Sequence, residues 1–114
     1  MEVRTLRTTL ATAETELKLA NLHRLLGVAS HEAQRNNYGS AGEAAGRFFS
    51  ECAELATAEQ FSEEPRTRVA LQAYASQRDQ VMALIGAGDP SVREQLLGMY
   101  LTMDGVLARR GATT

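Results

Sequence analysis

The sequence predicts an all-α protein, an antiparallel four-helix bundle with a long N-terminal helix. Three observations lead there. Alanine, leucine, glutamate and arginine are the commonest residues of a 114-residue chain that has two prolines and no tryptophan, which is helix-forming composition. Apolar residues recur at the three-and-four spacing of an amphipathic helix, and no alternating strand pattern competes. Three short breaks, at Asn36–Gly39, Ser62–Pro65 and Gly86–Pro90, divide the chain into four such segments.

The first helix is expected from about Glu2 to Arg35. Val3, Leu6, Leu10, Ala13, Leu17 and Ala20 follow one another at intervals of three and four, the a/d seam of a coiled coil. Arg24 and Gly27 come next in that frame, so the seam stops there. The apolar face continues on a shifted track through Leu22, Leu25, Leu26, Ala29 and Ala33. Asn and Gly at the first break tolerate the left-handed backbone that ends a helix.

The second helix is expected from about Ser40 to Phe61, with Ala41, Ala45, Phe48, Cys52 and Leu55 on one stripe. Ser62 is placed to cap an acid-rich first turn before Pro65. The third helix, about Arg66 to Ile85, carries Val69, Ala73, Tyr74, Val81, Leu84 and Ile85. A Gly-Ala-Gly stop then precedes Asp89 and Pro90, a capping acid followed by proline at the first helical position. The fourth helix, about Pro90 to Arg109, carries Val92, Leu96, Met99, Tyr100, Met103 and Leu107.

Short connections make successive helices antiparallel. The lengths are unequal: at about 1.5 Å per residue the first helix spans roughly 50 Å and the others about 30 Å. Residues 1–20 therefore overhang as a coiled-coil segment, or the first helix kinks. Val3, Leu6, Leu10, Ala13 and Leu17 either pack on the third and fourth helices or join a second copy or another protein. A homodimer is the favoured expectation.

Between Leu25 and Phe48 the sequence resembles a tetratricopeptide-type repeat unit. Leu25, Ala29, Tyr38, Ala41, Ala45 and Phe48 fall near the spacing of that family's large and small packing residues. The resemblance covers about a fifth of the chain and implies one repeat-like central helical hairpin inside the bundle. The glycine expected beside the small residue of the first helix sits two positions early, at Gly27, and no proline closes the unit. A stable solenoid needs about three repeats, so a peptide-binding array is not implied.

One further resemblance concerns chemistry. His23, Arg24, Leu25, Leu26 and Gly27 resemble the core of a histidine phosphotransfer domain. That implies an exposed imidazole at His23 and a glycine, Gly27, that admits a partner. Leu26 stands where that family has a lysine, so the phosphoryl charge lacks its cation.

The remaining residues argue for a non-catalytic protein. His31 lies about 12 Å along the helix from His23, so the two cannot share a metal. The single Cys52 falls on an apolar stripe and reads as a buried, inert thiol. No nucleophile–base–acid set and no phosphate-binding glycine loop is present. Neither a metal nor a cofactor is expected. A net charge of −2 and a pI near 5.7 argue against nucleic acid as a partner. No apolar run approaches the roughly 18 residues of a membrane span, and no signal-peptide pattern follows Met1. The expectation is a single helical domain over residues 1–114, cytoplasmic and not inserted in a membrane. Its role is that of a scaffold or interaction module. Phosphotransfer through His23, or an apolar ligand held between helices, are the alternatives.

Overall fold

A computed structural model of the chain describes the backbone of residues 2–62 and 64–112. It describes the side chains of residues 13–59, 61–62 and 64–109. Every regular element among these is helical, and the helices pack as an all-α bundle.

Helix α1 runs from Glu2 to Gln34. Its 33 residues span about 50 Å, close to the 54 Å long axis of the molecule. Thr15, Leu19, Leu22, Leu25, Leu26, Ala29 and Ala33 are buried, so the shifted apolar track of the sequence faces the core. The a/d seam does not: Ala13, Leu17 and Ala20 are exposed, because they lie on the opposite side of the same helix. Asn36 ends α1 with φ +63°. Its N–H bonds the Ala33 carbonyl at 3.0 Å and that of Asn37 the Glu32 carbonyl at 2.8 Å, the paired closure of a Schellman stop.

That tight stop lets α2, Tyr38–Ala56, begin two residues before the expected Ser40. It ends earlier than expected as well. On a continuing helix the stripe of Ala45, Phe48, Cys52 and Leu55 would run on to Glu59, leaving Phe61 off it. The chain instead turns at Thr57, whose hydroxyl donates to the Glu54 carbonyl at 3.2 Å. A 3₁₀ turn at Glu59–Phe61 then carries the Phe61 ring fully into the core.

The expected third helix is two helices, α3 at Pro65–Ala75 and α4 at Arg78–Gly86. Thr67, Leu71, Tyr74, Val81 and Ile85 are buried. A straight helix would put Arg78 on that stripe, between Tyr74 and Val81, at the desolvation cost of a buried charge. The break at Ser76 and Gln77 leaves Arg78 exposed. Both side chains hold the Ala73 carbonyl, Ser76 at 2.7 Å and Gln77 at 3.3 Å. Val69, expected on the core stripe, is 63% exposed. At the head of α3 the capping position is Glu64 rather than Ser62, with Pro65 as the first helical residue.

Gly88, at φ +64°, closes α4. Its N–H reaches the Ile85 carbonyl at 3.0 Å and that of Asp89 the Leu84 carbonyl at 2.9 Å. Asp89 then accepts the Ser91 N–H at 2.9 Å, and this bond holds its carboxyl below the usual carboxylate range. Helix α5 follows from Ser91 to Ala112, burying Val92, Leu96, Met99 and Met103.

Cross-helix contacts set the directions. Asn21 bonds Glu51, and Gln34 bonds the Arg93 carbonyl. Gly42 faces Ile85 and Gly46 faces Met82. Thus α2 runs antiparallel to α1 and α4, and α5 antiparallel to α1. Gly42 and Gly46 ease the approach of α4 to α2. Both neighbours of α1 end near the level of Thr15, so about thirteen residues of α1, or roughly 20 Å, project past them.

Gly98 sits on the exposed side of α5, and a methyl group there would meet nothing within 4 Å. Gly98→Ala is expected to raise stability by about 0.5–1 kcal/mol through backbone entropy and helix propensity. Thermal unfolding of the two proteins checks it.

Candidate functional site

Two places on α1 have side chains of chemical interest. The first faces α5. His23 stacks on Tyr100 with ring centroids 4.4 Å apart and an interplanar angle of 10°. The same tyrosine covers Gly27, where a Cβ would lie 3.0 Å from Tyr100 Cε2. His23 Nε2 is buried and lies 2.7 Å from Asp104 Oδ1. The approach has ion-pair distance without hydrogen-bond alignment. A phosphoryl acceptor needs an open nitrogen and a nearby cation. Here the nitrogen faces a carboxylate, and the surface of Gly27 is occupied by the chain's own Tyr100. Sequence reasoning missed this layer because Tyr100 and Asp104 come from a helix some 77 residues away from His23.

Cys52 is fully buried. Burial pushes its thiol from the ordinary 9.0 up to about 12, with a smaller contribution from the Glu51 carboxylate. Tyr74 donates its hydroxyl to the Met99 carbonyl at 3.3 Å. Burial, then the neighbouring Cys52, raise its phenol from 10.0 to about 12. Both groups ionise at lower pH in the unfolded chain than in the folded one. Their stabilising contribution is therefore complete below about pH 9 and declines as pH rises toward 12. Denaturant midpoints taken at stepped pH are expected to fall across that window, and less so in Tyr74→Phe.

The second place lies between α1 and the end of α2. Glu14, Leu17, Lys18 and Asn21 from α1, with Glu51, Glu54 and Leu55 from α2, line an open groove of about 450 Å³. Leu17 is 74% exposed at its edge, while Leu55 forms buried floor. Asn21 Nδ2 donates to both Glu51 oxygens, at 3.2 and 3.0 Å, and its Oδ1 accepts from Arg24. Three carboxylates thus rim an apolar floor, with Lys18 the one cation among the lining residues. The sequence identified Leu17 but not the groove, because spacing within α1 carries no information about which part of α2 lies beside it.

Of the expected interaction residues, Ala13 and Leu17 are exposed on α1. Val3, Leu6 and Leu10 lie outside the residues whose side chains are described. Of the repeat-like hairpin, Leu25, Ala29, Ala41, Ala45 and Phe48 are buried and Tyr38 is half-buried. His31, Arg78 and Asp79 are exposed. Met99, Met103 and Tyr74 fill the core. Among the described residues no three His, Cys, Asp or Glu side chains are grouped to hold a metal ion. None of the described helices is long and apolar enough to cross a membrane. No protein-family model, curated protein or solved structure matches the chain.

Proposed function

We propose that this chain is a non-catalytic helical scaffold that associates with a second copy of itself through the projecting part of α1. The observation that carries the reading is Leu17. It is a large apolar side chain, 74% exposed, on the face of α1 opposite the buried Leu19, Leu22 and Leu26. It continues the spacing of Val3, Leu6, Leu10 and Ala13, and that segment extends beyond the ends of α2 and α5. An apolar stripe of this kind on a helix that runs past the ends of α2 and α5 gains most by meeting another like it. A cytoplasmic setting, in which the single Cys52 stays a thiol, is part of the same proposal. The phosphotransfer alternative draws no support from a His23 nitrogen held against Asp104.

Leu17→Glu tests the reading without touching the core. Sedimentation equilibrium at tens of micromolar is expected to give a dimer for the parent chain and a monomer for the variant, with unchanged helicity. A parent chain that sediments as a monomer overturns the proposal. Native mass spectrometry of the same samples registers a bound small molecule as added mass, which would favour the ligand-binding alternative.

A further inference from the structure

The seam has a symmetry that assigns the geometry of the association. Val3, Leu6, Leu10, Ala13, Leu17 and Ala20 read the same spacing from either end. Two copies of α1 set antiparallel, with Leu10 of one opposite Ala13 of the other, also bring Leu6 to Leu17 and Val3 to Ala20. The two-fold axis repeats every contact. We propose that the second copy docks in this antiparallel register, its α1 N-terminal segment seated along the groove between α1 and α2. The inference rests on the self-association proposed above.

Charge decides between this arrangement and a parallel one. Arg7 and Glu14 are one heptad apart and so hold equivalent positions beside the seam. Antiparallel pairing places Arg7 of each copy beside Glu14 of the other, forming two opposite-charge contacts. A parallel pair would instead set Arg7 near Glu2 and Glu14 near Thr9 of the other copy, and would turn no arginine toward the acidic groove. Glu14 also lines the groove, with Glu51 and Glu54 next to it. Neither Glu14 nor Glu54 has an ion-pair partner among the described residues. Arg4, one turn before Arg7, comes level with the partner's Glu51 to Glu54 turn in this register. The incoming segment carries two arginines and no acid between Val3 and Thr12, which complements a rim of three carboxylates and one lysine. Leu6, opposite Leu17, adds its apolar surface over Leu55 at the floor. The projecting length of α1 suits the fit, since roughly 20 Å of helix free of α2 and α5 can lie along the other copy.

Disulfide trapping in the full chain tests the register. Chains carrying Leu6→Cys are mixed with chains carrying Leu17→Cys and oxidised; the native Cys52 is buried and does not take part. The expected result is the mixed 6-to-17 species, because like positions are separated by about 16 Å along the antiparallel axis. Self-linked 6-to-6 and 17-to-17 species would overturn the antiparallel register while leaving self-association intact. A parent chain that is monomeric by sedimentation would overturn both. Charge exchange tests the ionic contacts: Arg7→Glu and Glu14→Arg are each expected to weaken the dimer by about tenfold. The double variant is expected to recover most of that loss. A double variant as weak as the single ones overturns the Arg7–Glu14 pairing.

Discussion

Phe48→Ala is expected to destabilise the fold by about 3–5 kcal/mol. The ring has no exposed surface. It meets Phe49 edge-on at 5.2 Å and Tyr74 edge-on at 5.6 Å, so it joins α2 to α3. Removing it deletes apolar burial, leaves a cavity and ends two aromatic contacts, each worth about 0.5–1.5 kcal/mol beyond area. A domain of this size has roughly 5–15 kcal/mol in total, so the variant stands near the edge of folding at ambient temperature. Thermal unfolding should show a midpoint lower by about 10–20 °C. Leu97→Ala, at a position 43% exposed, serves as the control and should move stability by no more than about 0.5 kcal/mol. A Phe48→Ala protein as stable as that control would mean the ring does not sit in the core described.

Gly27→Val is expected to cost about 1–3 kcal/mol, although glycine is the poorer helix former of the two. Even the first carbon of a side chain would come to 3.0 Å from Tyr100 Cε2, and valine adds two methyl groups at that point. The ring cannot slide away freely because it stacks on His23, and α5 is anchored behind it by Met99 and Met103 in the core. The strain therefore acts on the α1–α5 contact as a whole. If the clash is with Tyr100, then Gly27→Val combined with Tyr100→Ala must be less destabilising than the sum of the two single changes. Strict additivity in denaturant unfolding would locate the cost elsewhere. The opposite sign expected for Gly98→Ala shows that the neighbour, rather than the residue type, decides the outcome.

These two glycines illustrate how far the sequence could be read. Both stand inside helical patterns, and nothing in their flanking residues separates them. The difference is a tyrosine contributed by another helix. His23 is similar: its motif suggested an open imidazole, whereas Tyr100 and Asp104 close the site from α5. The break at Ser76 and Gln77 has no glycine or proline to announce it. It becomes intelligible only when Arg78 is seen to fall on the stripe that α2 and α5 bury.

The sequence by itself determined the all-α class, the long first helix, and the turns at Asn36 and Gly88. Those properties depend on the helical period and on backbone conformations that few residues adopt, both of which are local. The tertiary structure alone decided the split of the third helix, the closure of His23 and the groove that Leu17 lines with Glu51 and Glu54. Each of these depends on which distant side chain occupies a given volume, and a one-dimensional spacing does not encode that.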